Sequence, residues 1–112
     1  MSDAILVYVT TAGEEEARRI GRALVEKRLA ACANIVPAIR SVYRWEGKVV
    51  EDGETLLLLK STRDMLPELT AAVRELHSYS VPCVTAFDVV GGNADYIQWV
   101  ADSVGPESRA AD

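Results

Sequence analysis

ANIVPAIRSVYRWEGKVVEDGETLLLLKS, Ala33 to Ser61, decides the fold. Ile39, Ser41, Tyr43 and Trp45 alternate with Arg40, Val42 and Arg44, and this alternation places the two sets on opposite faces of a strand. Glu46-Gly47 reverses the chain, and a second strand returns from Lys48 to about Ser61. The pattern predicts a β-hairpin with a bulge near Asp52-Gly53, where glycine interrupts the run. Leu56-Leu57-Leu58-Leu59 has no polar face, so both sides of that strand are expected to be buried. With about twelve residues per arm at roughly 3.3 Å each, the hairpin reaches about 40 Å. A domain of this length has a radius of gyration of only about 13 Å. The outer hairpin is therefore expected to leave its own fold. Proteins pair or cover an apolar, aromatic-bearing edge of this kind, so the hairpin predicts self-association. The alternative is that a bulge at Gly53 folds it back onto its own sheet.

Working outward, Ile5 to Thr10 is a β-branched apolar run expected to form a buried strand. Thr11-Ala12-Gly13-Glu14 has the spacing of a capping box, and Glu14, Glu15 and Glu16 lie where a helix N-terminus favours negative charge. The helix buries Ala17, Ile20 and Leu24 and runs to near Leu29. Beyond the hairpin, a second helix starts near Thr62 to Asp64, accepts Pro67 in its early turns and buries Leu66, Leu69, Val73 and Leu76. Val81 to Val90 is expected as a fourth strand and Gly91-Gly92 as a turn. Asn93 caps a third helix carrying Tyr96, Ile97 and Val100. The order β-α-β-β-α-β-α implies an α+β, ferredoxin-like βαββαβ sandwich with an extra C-terminal helix and strand order 4-1-3-2. The chain is expected to be one domain, residues 1–112, with an ordered core at about 4–104 and a polar tail, GPESRAAD, at 105–112. Cys32 and Cys83 fall on opposite sheet edges and at opposite ends, which argues against a disulfide.

The 112 residues are 49% apolar and 26% charged, and no apolar run approaches the length of a membrane span. A net charge of −5 repels a phosphate backbone, so neither nucleic acid nor membrane is expected as a partner. Arg18, Arg19, Arg22, Lys27 and Arg28 form a basic cluster, but Glu14, Glu15, Glu16 and Glu26 precede or interleave with it, which predicts an ion-paired helix face. The N-terminus lacks the basic region of a secretory signal, and the two cysteines have no short spacing. Free thiols and a cytoplasmic location are expected. No phosphate-binding loop, nucleophile elbow or Cys-His arrangement with a third orienting group is evident, and no enzyme activity or organic cofactor is expected.

LHSYSVPC, Leu76 to Cys83, holds the only histidine and one of two cysteines. Imidazole and thiolate are transition-metal ligands, but a structural site needs about four ligands and a catalytic one about three. His77, Cys83 and Cys32 are the candidate metal ligands, and any site must draw on carboxylates or on several subunits. Each has a structural alternative: His77 a surface cap on the C-terminus of helix two, Cys83 a small buried strand residue, Cys32 a packed one. Tyr43, Trp45, Tyr79 and Trp99 are expected at packing or subunit contacts. Lys48 and Lys60 flank them and could meet an anion in an intersubunit cleft.

LAACAN, YRWEGK, LHSYSVP and DYIQWV together resemble the CutA divalent-cation-tolerance family, from about Ile5 to Val104. The resemblance implies a homotrimer with exchanged hairpins, like the PII signalling proteins. It also implies a cytoplasmic role in tolerance of copper and other divalent cations, with metal binding. The alternative is a PII-like small-ligand sensor or trimeric scaffold without a dedicated metal site. Some members carry a cysteine at the end of strand one and paired histidines after helix two, where this chain has Val9 and Leu76-His77. The family's acidic positions after that histidine are here Ser80 and Cys83.

Overall fold

A computed structural model describes residues 3–106. Strands β1 (Ala4–Thr11), β2 (Cys32–Trp45), β3 (Lys48–Thr62) and β4 (Val84–Asp88) form one sheet in the order β2-β3-β1-β4. All neighbouring pairs are antiparallel, as the ferredoxin-like reading requires. Helices α1 (Glu14–Glu26) and α2 (Leu66–Leu76) cover one face, and a 3₁₀ turn, Arg63–Met65, leads into α2. Val7, Val9, Leu57 and Leu59 from the sheet meet Ile20, Leu24, Leu69 and Val73 from the helices in the main core.

The tetraleucine stretch departs from expectation. Leu57 and Leu59 are buried beneath the helices, whereas Leu56 and Leu58 point to the opposite face and stay half-buried. One chain has helices enough for one face. Helix α3 (Ala94–Ser103) crosses towards the other face at its end: Tyr96 meets Lys60, which shares the face of Leu56 and Leu58, and Val100 and Val104 pack with Ala31 and Met65. As the sequence implied, Asn93 caps α3 by accepting from the Asp95 N–H.

Helix α1 starts differently from the expected capping box. Gly13 is its N-cap, because Thr11 still belongs to β1 and its hydroxyl lies 3.0 Å from the Thr55 carbonyl and 3.1 Å from that of Gly13. Glu16 reaches back past the cap, accepting from the Ala12 N–H one residue before Gly13. At the other end Arg28 takes a positive φ of 60°, and the N–H groups of Leu29 and Arg28 close on the carbonyls of Leu24 and Val25. This is a Schellman closure without glycine. The Arg28 guanidinium holds it by donating to the carbonyls of Gly105 and Asp102, which also ties the end of α3 to the end of α1. The basic cluster is ion-paired where partners reach, Arg19 with Glu16 and Arg22 with Glu26.

The hairpin turns on Glu46 and Gly47, both with positive φ, in the two-residue form that matches strand twist. Its irregularity lies on β2 between Val36 and Ile39, not at Gly53, which pairs regularly with Arg40. Pro37 explains the shift: it has no N–H for the ladder, and its carbonyl accepts instead from the Thr55 hydroxyl at 2.8 Å. The bulge does not fold the hairpin back. The molecule extends 47 × 26 × 23 Å, and Val42, Trp45 and Val49 are 63%, 48% and 66% exposed.

Strand β4 is shorter than expected, Val84–Asp88. Continuing the register would set Pro82 opposite Thr11 and Cys83 opposite Thr10. Pro82 cannot donate, and the Thr10 carbonyl is taken by His77. Residues 77–83 therefore peel away from the sheet and form the wall of a cleft. Of the expected tail, residues 107–112 lie outside the described part.

Candidate functional site

His77 follows α2 directly, and its side chain is fully buried, so it is not a surface cap. Its Nε2 lies 2.8 Å from the Thr10 carbonyl, which can only accept, and its Nδ1 accepts from the Tyr79 N–H at 3.0 Å. These partners define a neutral ring protonated at Nε2. Both nitrogens are committed, and a metal could bind either only after displacing a backbone partner.

Beside it, Glu16 joins three elements. Its carboxylate accepts from the N–H of Ala12 and, at 2.8 Å, from that of Ser78, and it lies 4.0 Å from His77 Nδ1. Burial works against its charge, but the hydrogen bonds from Ala12 and from the hydroxyl and N–H of Ser78 outweigh burial and hold the carboxyl below the usual glutamate range. Arg19 completes the corner by donating to the Leu76 carbonyl at the end of α2.

This corner supports a cleft of ≈ 490 Å³ between the hairpin and the segment after α2. The hairpin contributes Ser41, Tyr43, Trp45 and Glu54; the segment contributes Tyr79, Ser80, Val81 and Cys83; Thr10 forms the floor. The Tyr79 hydroxyl donates to Glu54 at 2.9 Å, and the Tyr43 hydroxyl to Asp52 at 2.7 Å. Burial, then the bond to Glu54, pushes the Tyr79 phenol well above the usual tyrosine range. The bond to Asp52 raises Tyr43 in the same direction.

The remaining candidates are dispersed. Cys32 starts β2 and faces a shallower groove beside α1, together with Trp99. Lys48 pairs with Trp45 at the hairpin tip, whereas Lys60 contacts Tyr96 and pairs with Cys32. Twelve residues of strand separate the two lysines, about 40 Å, so they do not share a cleft within one chain. Both cysteines are free and partly buried. Among the described residues, no group of three or more His, Cys, Asp or Glu side chains has metal-holding geometry. Sequence reasoning missed Glu54 and Glu16. Glu54 follows the glycine taken for a bulge, and its alternation with Asp52 on the face of Tyr43 was the available signal.

The model of CutA1, the divalent ion tolerance protein, matches residues 5–103. The chain belongs to the CutA1 family. It is 49% identical over 100 residues to the divalent-cation tolerance protein CutA of Thermus thermophilus, covering 89% of this chain and 97% of that protein. It is 48% identical over 93 residues to human protein CutA, covering 83% of this chain but 52% of the relative, so it spans about half the human protein's length. The T. thermophilus CutA1 structure superposes with a TM-score of 0.89 at 48% identity, covering 91% of this chain and 99% of that one. The CutA structure from Archaeoglobus fulgidus, named as a periplasmic divalent cation tolerance protein, gives 0.87 at 34%, covering 91% and 99%. These CutA proteins are named for tolerance of cations, not for an enzymatic reaction.

Proposed function

We propose that the chain acts as a cytoplasmic homotrimer in the tolerance of divalent metal ions, binding copper or another transition metal where subunits meet and catalysing no reaction. Membership of the CutA1 family supports the role in cation tolerance. The observation that carries the rest is the hairpin, which extends beyond its own domain with Val42 and Val49 exposed. Donors too dispersed to close a site in one chain can do so between copies. Cys83, a soft thiol in the same cleft as the Glu54 carboxylate, is the best placed of them.

Titration of the reduced protein with Cu(I), Cu(II) and Zn(II) by calorimetry tests this, with cell fractionation testing the location. Saturable binding weakened by Cys83→Ala and little changed by His77→Ala is expected. No saturable heat at tens of micromolar protein removes the metal from the proposal, and weakening by His77→Ala alone moves it to the buried corner.

A second reading, a small-ligand sensor of the PII type, is favoured by the cleft itself. Its volume of ≈ 490 Å³ falls within the roughly 300–1,000 Å³ typical of small-molecule sites, and its lining combines three aromatic side chains with convergent polar groups.

A further inference from the structure

We propose that the cleft between the hairpin and the Tyr79–Cys83 segment binds a small organic cation carrying N–H donors, a primary ammonium or a guanidinium. The inference rests on the sensor reading and specifies the charge and hydrogen-bonding character of its ligand.

Three features of the lining select this chemistry. Tyr43, Trp45 and Tyr79 supply aromatic surface, and cations are attracted to ring faces. The lining holds a carboxylate, Glu54, and no lysine or arginine. The two phenol hydrogens are also already committed: Tyr79 donates to Glu54 and Tyr43 to Asp52. Each phenol oxygen keeps lone pairs, and Glu54 has a second oxygen and spare lone pairs on the first. The two phenol oxygens and the Glu54 carboxylate therefore offer acceptors to a ligand, and the serine and threonine hydroxyls of the lining can accept as well. An anionic ligand would meet the Glu54 charge without a compensating cation, whereas an ammonium or guanidinium would pair with it. The charge-assisted bond would be strongest where the rings exclude water.

The test is calorimetry on the whole reduced protein with agmatine, which carries both groups, against n-butanol as a neutral probe and glutarate as an anionic one. Agmatine is expected to bind at or below about 1 mM, a range set by one charge-assisted pair plus one or two ring contacts. Butanol and glutarate should give no saturable heat. Glu54→Gln should weaken agmatine at least about tenfold by removing the charge while keeping an acceptor for Tyr79. Trp45→Leu, at a half-exposed hairpin position outside the core, should weaken it several-fold and serves if the Glu54 variant folds poorly. Agmatine affinity unchanged in both variants overturns the assignment. Saturable glutarate binding without agmatine binding overturns the cation and leaves the sensor reading standing. No binding of any probe up to about 10 mM removes both.

Discussion

At the scale of single residues, His77 and Glu16 carry structure where their residue types suggested metal chemistry or helix capping. The His77 ring satisfies the Thr10 carbonyl and the Tyr79 N–H from a fully buried position. Removing it leaves both groups without their partner, at about 1–3 kcal/mol for each buried group so stranded. His77→Ala should lose ~2–4 kcal/mol in urea denaturation. A loss under about 0.5 kcal/mol, the scale of an ordinary surface change, would show that neither bond matters. Glu16 makes stability depend on pH. Its carboxyl is held below the ordinary value of 4.5, so the unfolded chain takes up the proton first as pH falls. Its contribution is complete above pH 4.5 and is lost as pH descends from there through the lowered folded value. Glu16→Gln should therefore be less stable than the parent at neutral pH, with the difference shrinking below pH 4.5, measured by denaturant midpoints across the acid range. A difference that stays constant with pH would assign the effect to packing.

At the scale of elements, close approach of α1 to the sheet depends on Gly21. A Cβ there would lie 3.0 Å from the Ala33 Cβ and 3.2 Å from Leu57 Cδ1. Alanine would add about 1 kcal/mol of helix propensity, but the Ala33 methyl cannot rotate away, and overpacking costs about 1–3 kcal/mol. Gly21→Ala should cost a net ~1 kcal/mol of stability, read as a lower urea midpoint. Gly53→Ala is the contrasting case. A Cβ at Gly53 meets nothing within 4 Å, and the position pairs regularly, so its stability should change by less than about 0.5 kcal/mol. A destabilising Gly53 variant would mean that this glycine bends the strand after all. The sequence marked the hairpin, its turn and its length, yet misplaced the bulge. Glycine signals freedom of the backbone, whereas a missing N–H at Pro37 forces an irregularity wherever a partner strand would have needed it.

At the scale of the whole molecule, the longest extent of 47 Å matches the length of the hairpin's 14- and 15-residue strands at about 3.3 Å per residue. Val42 and Val49 occupy the hairpin face opposite the cleft-lining set, beside the Arg40–Glu51 ion pair. Replacing both valines by aspartate should leave the domain folded, because they are exposed, and should dissociate the proposed trimer. Sedimentation equilibrium at micromolar concentration should then move from three chains to the 12.2 kDa of one. Trimer mass retained by the double variant would mean that this face is not the one subunits share.

Periodicity and punctuation along the chain determined which segments are helix or strand, their order and the excess length of the hairpin, because each follows from local geometry repeated over a few residues, and the handedness of crossovers then set the 4-1-3-2 arrangement. The tertiary structure decided what the side chains are free to do. His77 and Thr10 are 67 positions apart, and Tyr79 and Glu54 are 25 apart. Only the folded chain shows that the histidine's nitrogens are already occupied, and that the two phenols spend their hydrogens on carboxylates and face the cleft as acceptors. Hydrogen-bond partners across a fold depend on register and on where a strand stops pairing, and neither is written in the spacing of any one segment.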